Sequence, residues 1–152
     1  MQKKIFFIIL LLNFLYHCEY KPVYLNQNNL DYKIIIKSFT GDNDINDSIY
    51  ANLKRNNQES SDEIINISFD TKYTKNILAK NAAGTITDYQ IKVSTNFTIQ
   101  KNNNSETFEV IEKFNFQKMI DKYEEKNYER NIKRNLASSI SQKLILRLAM
   151  IK

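Results

Sequence analysis

Between Glu63 and Gln117 the chain alternates apolar and polar residues over three long segments, and this period of two limits the possible fold more than any other feature. Ile65, Ile67, Phe69, Thr71 and Tyr73 share one face, and Asn66, Ser68, Asp70 and Lys72 share the other. Thr87, Tyr89, Ile91, Val93, Thr95, Phe97 and Ile99 repeat the pattern, as do Phe108, Val110, Phe114 and Phe116. Successive side chains of a strand point to opposite faces, so each segment reads as a strand with one apolar side. Such strands suit an antiparallel sheet packed on one side and wet on the other. Asn81 to Thr85, around Gly84, reads as a turn, and Lys101 to Glu106 as a hairpin loop. Glu112 breaks the third apolar face, which calls for either a place at the sheet edge or a lysine partner.

The flanks have a different period. Asp31 to Phe39 is short and β-branched, a strand ended by Gly41. In Asp42 to Asn56, Ile45, Ile49 and Leu53 recur every four residues, which puts them on one side of a helix. Asp and Asn side chains at its start suit capping and the helix dipole. Asn56 to Asp62 reads as a loop. From Asp121 to Met150 the chain lacks Gly and Pro. Tyr128, Ile132, Leu136, Ile140, Leu144 and Leu148 form a stripe that Ala137 and Ile145 widen. That stripe marks a long amphipathic helix whose apolar face meets the sheet. The order β-α-β-β-β-α predicts an α+β fold. It is a two-layer sandwich with a mostly antiparallel four-stranded sheet and a long C-terminal helix packed on one face.

The N-terminus is of another kind. Lys3 and Lys4 precede an apolar run from Ile5 to Tyr16, broken only by Asn13. Crossing a bilayer takes about 20 apolar residues. This run is shorter and has the layout of a secretory signal over residues 1–17. It ends at Cys18, the sole cysteine of the chain, so no intrachain disulfide is possible. Leu15-Tyr16-His17-Cys18 follows the Leu-x-x-Cys spacing at which a bacterial signal peptide is cut and the cysteine lipidated. His17 stands where that pattern has a small residue. Residues 18–30, with the one proline at Pro22, read as a lipidated tether, and residues 31–152 as a single domain. Acyl chains add about 0.8 kcal/mol per buried methylene, so a multiply acylated Cys18 would hold the domain to a membrane.

The remaining chemistry is sparse. His17 is the one histidine and leaves with the signal, so no Ser-His or Cys-His pair and no His/Cys metal cluster can form. Two glycines, Gly41 and Gly84, cannot build a phosphate-cradling loop. Asp42/Asp44 and Glu124/Glu125 fall at helix starts, where capping explains them. The expectation is a non-enzyme with no catalytic residues, no cofactor and no metal. The chain carries a formal +5, or +3 without the signal's two lysines. With no basic block along it, nucleic acid is not an expected partner.

Cys18-Glu19-Tyr20-Lys21-Pro22-Val23-Tyr24, the glycine turn running into "NAAGTITDYQIKVSTNFTI", and the Tyr-bearing lead into "NLASSISQKLILRL" together resemble the LPS-assembly lipoprotein LptE family of alphaproteobacterial type. The resemblance spans nearly the whole chain. It implies a lipid-anchored protein at the periplasmic face of the outer membrane. It also implies a plug inside the LptD β-barrel that assists the barrel's assembly and lipopolysaccharide delivery to the cell surface. Because lipopolysaccharide carries phosphates, Lys72, Lys75, Lys80 and Lys92, all expected to be exposed, are its candidate contacts. The alternative is a periplasmic or secreted non-catalytic adaptor that takes a protein partner at a sheet edge.

Overall fold

The structure, a computed structural model, describes residues 32–57 and 61–150. The signal segment, Cys18 and the tether lie outside them. The observed order is β1 (Lys33–Gly41), α1 (Asn43–Arg55), β2 (Ile64–Lys80), β3 (Ile86–Lys101), β4 (Asn104–Gln117) and α2 (Lys122–Leu148). The strands lie side by side as β1-β2-β3-β4, and both helices pack on the same face. The α+β sandwich expected from the sequence is the fold.

One pair is parallel. β1 runs alongside β2 in the same direction, with α1 as the crossover between them, while β2–β3 and β3–β4 are antiparallel. A parallel pair needs a long connection, and a helix of this length supplies it. A register shift between Ile36 and Ser38 changes which residues of β1 face inward. Ile34 and Ile36 oppose Ile65 and Ile67, and beyond the shift Phe39 opposes Phe69. The strand continues to Gly41 (φ 101°), where an added Cβ would lie 1.8 Å from the Thr71 carbonyl oxygen. Only glycine lets the chain pass so close to β2 and turn into the helix.

Asp42 caps α1 by accepting from the Ile45 N–H, and Asp121 caps α2 by accepting from Tyr123 and Glu124. These N-cap carboxylates satisfy amide donors that have no partner inside the helix.

The period-two faces form the core. Ile65, Ile67, Phe69, Ile91, Val93, Phe97 and Ile99 are buried beneath the helices. Ile45, Ile49 and Leu53 of α1 meet them from above, as do Ile132, Leu136, Ile140, Leu144 and Leu148 of α2. Thr71 and Thr95, opposite each other at the centre of β2 and β3, are buried with their hydroxyls 3.2 Å apart. Each satisfies the other inside the core. Tyr128 stays 38 % exposed and meets Phe114 and Phe116 edge-on. The β3–β4 connection is shorter than expected. Lys101 already pairs with Asn104, so Asn102 (φ 55°) and Asn103 make a two-residue turn. Asn tolerates this left-handed backbone.

Candidate functional site

Among the described residues no helix packs on the polar face of the sheet. Its side chains come from the even positions of β2 and β3 and the odd positions of β4. Most of them are short amides and hydroxyls such as Ser68, Thr74, Asn76, Gln90, Ser94, Asn96, Thr98 and Asn115. Several are tied across strands: Gln90 Nε2 donates to Asn115 Oδ1 at 3.0 Å, Ser38 Oγ donates to Ser68 Oγ at 3.1 Å, and Ser94 donates to Glu109. A wide hydrogen-bonding surface results.

Three lysines adjoin one another on it. Lys92 of β3 pairs directly with Lys113 of β4, and Lys72 opposes Ser94, one diagonal step from Lys92. Like charges set opposite each other destabilise a sheet, and among the described residues none of the three forms an ion pair. The cluster therefore carries a stability cost and suits an anionic partner.

Of the lysines expected to be exposed, Lys72 is exposed on this face and Lys92 is half-buried on it; Lys113, which the sequence did not single out, is exposed beside them. Lys80 is also exposed but closes β2, about 26 Å along the strand from Lys72 at ordinary rise per residue.

Lys75 departs from the expectation. It shares the odd register of Thr71 and Tyr73, so it points inward toward α2, with only 23 % of its side chain exposed. Its Nζ donates to Glu125 Oε1 at 2.8 Å and to Glu129 Oε2 at 3.0 Å, and it lies 4.3 Å from the centre of the Tyr89 ring. Burial by itself would lower the lysine's pKa. The hydrogen bonds and charges of Glu125 and Glu129 outweigh that and raise it.

Lys75 belongs to a polar seam that fastens α2 to the sheet. Tyr73 donates its hydroxyl to Glu129 at 2.5 Å; burial first, then that bond and nearby negative charge, push the phenol pKa upward. Lys133 bridges to Asp42 at 2.8 Å and Asp44 at 3.2 Å while lying over the Tyr73 ring, joining α2 to the start of α1. At the far strand, Glu112 accepts from Ser139 at 2.6 Å and pairs with Lys143 at 2.8 Å. Burial alone would raise the pKa of Glu112, but these partners bring it below the ordinary value. Both explanations for Glu112 hold: it has a lysine partner, and its strand β4 ends the sheet.

A cleft of about 880 Å³ opens at the sheet end that holds Lys80, between Ile86, Tyr89, Met119, Ile120 and Lys122. Ile77, Leu78 and Ile120 stand exposed nearby. No helix of the described residues is long and apolar enough to cross a membrane.

No protein-family model and no curated protein matches the chain. Solved structures do match in fold. Rare lipoprotein B from Shewanella oneidensis superposes with a TM-score of 0.60 at 7 % identity, over 75 % of this chain and 92 % of that one. A minor lipoprotein from Acinetobacter baumannii gives 0.53 at 14 % identity, over 76 % and 94 %. Lipoprotein B from Nitrosomonas europaea gives 0.52 at 13 % identity, over 77 % and 84 %. The chain has the fold of these bacterial lipoproteins.

Proposed function

We propose that this protein is a non-catalytic, lipid-anchored component of the Gram-negative envelope. In this reading it sits at the periplasmic face of the outer membrane, held by Cys18, and plugs and helps assemble an LptD-like β-barrel for lipopolysaccharide delivery. The uncovered sheet face carries the reading. A plug must offer a broad hydrogen-bonding surface to a polar lumen, and amides, hydroxyls and the Lys72–Lys92–Lys113 cluster provide one here. The resemblance of the sequence to the LptE family and the fold shared with bacterial lipoproteins support the same assignment. In it, Lys72, Lys92 and Lys113 meet the phosphates of lipopolysaccharide. Lys80 serves a separate contact at the sheet end, and Lys75 acts indirectly by holding α2 in place.

The test is capture of the chain, tagged at its C-terminus, from solubilised envelopes. A β-barrel of the outer membrane is expected to come with it in stable proportion. Capture of the chain without any barrel refutes the plug.

One observation favours the second reading, a protein partner taken at a sheet edge. β4 ends the sheet with its outer side unpaired by any strand among the described residues.

A further inference from the structure

The two edges of the sheet are built differently. β1 carries a register shift between Ile36 and Ser38, and its Ile34 N–H is taken by the Asn57 side chain at 2.7 Å. Irregularities and caps of this kind keep a strand from accepting a new neighbour. β4 has neither. It pairs with β3 from Asn104 to Gln117 with no register shift and contains no proline. As an end strand it presents a row of outward N–H and C=O groups with no strand beside them among the described residues. Two apolar side chains near its centre, Ile111 and Phe114, are 40 % and 39 % exposed.

We infer that β4 is a self-pairing edge, to which a second copy of this chain adds antiparallel with Ile111 opposite Ile111. The inference supplies a partner for the edge-pairing reading and does not depend on the barrel. A two-fold axis perpendicular to the sheet keeps both apolar faces on the same side. Opposed residues must then be an even number of positions apart in sequence.

With Ile111 on the axis, Glu109 meets Lys113 of the second copy on the polar face, and the symmetry makes that pair twice. On the apolar face Phe108 meets Phe114 of the second copy, again twice. Moving the axis to Val110 sets Glu109 against Ile111 and Lys113 against Thr107, so neither charge meets its opposite. Moving it to Glu112 sets that carboxylate against itself. One register therefore joins opposite charges and aromatic rings together, the pairs that stabilise neighbouring strands. It also gives Lys113, which faces only Lys92 within its own sheet, a carboxylate. The edge charges that would turn away a like-charged strand attract this one.

Cysteine cross-linking of the full chain in detergent reads the register directly, in a Cys18→Ser background where the introduced thiol is alone. Directly opposed positions across antiparallel strands lie within disulfide reach. Ile111→Cys is expected to give a disulfide-linked dimer. Glu109→Cys or Lys113→Cys alone stays monomeric, but the two mixed cross-link to each other. Ser38→Cys, on β1, stays monomeric.

Charge exchange is the second measurement. Lys113→Glu weakens self-association about tenfold, and Glu109→Lys combined with Lys113→Glu restores it. All these side chains lie at the surface, so the fold tolerates the changes. Absence of the Ile111→Cys dimer overturns the inference, as does equal cross-linking at all four positions. A chain monomeric throughout removes the second copy but leaves β4 open to a strand of another protein, which the barrel capture reads separately.

Discussion

Replacing Lys75 with Met removes the cation at the centre of the seam between α2 and the sheet. The side chain is 23 % exposed, and Glu125 and Glu129 are 16 % and 22 % exposed, so the three charges lie between a surface and a buried cluster. An exposed ion pair contributes about 0–1 kcal/mol. Breaking a buried one costs about 3–5 kcal/mol, because a charge is left without compensation. Met keeps the packing against Tyr89 and Phe116 but leaves two carboxylates facing each other. The expected loss is about 2–3 kcal/mol at neutral pH, from the midpoint between those limits.

Urea unfolding followed by circular dichroism measures the loss, and the pH dependence identifies its cause. Burial alone would raise the pKa of Glu125, but Lys75, the Met119 N–H and neighbouring positive charge bring it below the ordinary value. A carboxyl whose folded pKa is depressed adds stability above its unfolded value, and that stability is lost as pH falls through the folded one. The gap between the native chain and Lys75→Met should therefore close as pH drops below about 4.3, the ordinary glutamate value. A loss under about 0.5 kcal/mol, typical of a neutral surface change, or a gap independent of acid pH, refutes the reasoning.

Other expectations follow from single contacts. Gly41→Ala meets the Thr71 carbonyl and a positive φ together, so a loss of about 3 kcal/mol or more is expected in the same assay. Asp42→Ala removes the α1 cap and a partner of Lys133; a loss of about 1–2 kcal/mol is expected, and Asp42→Asn should retain the capping part. Lys113→Thr relieves the pairing with Lys92 and should stabilise the domain by about 0.2–1 kcal/mol at low salt. That gain should fade in high salt, which screens exposed charges. Ile49→Ala, at a fully buried position, should cost about 2–5 kcal/mol with no change in lysine-face chemistry.

Most of the fold is legible in the sequence because its two periods are so clear. The odd positions of β2 and β3 and the every-fourth residues of both helices are the core, and each can be read from spacing alone. The same parity also places Lys75 inward, next to Thr71 and Tyr73. A lysine on an apolar face reads as exposed only when its partners, fifty or more residues away on α2, are out of view. The lysine cluster was hidden for a different reason. A connection from Lys101 to Glu106 slides β4 by two residues and sets Lys92 against Asn115. The two-residue turn at Asn102 and Asn103 restores the Lys92–Lys113 pair. Register depends on turn geometry, and six adjoining polar residues do not reveal which two make the turn. The register shift in β1, at Lys37, is likewise silent, because the three isoleucines before it give the strand no period of two from which a slip could be read.

The most direct test of the central claim, that the uncovered sheet face works against a barrel, is photo-cross-linking in living envelopes. A photoreactive residue placed at Lys72 or Lys92 is expected to yield an adduct with an outer-membrane β-barrel, while the same residue at Ile49, on the buried face of α1, yields none. If positions 72 and 92 give no barrel adduct while the chain is present and folded, the account is contradicted.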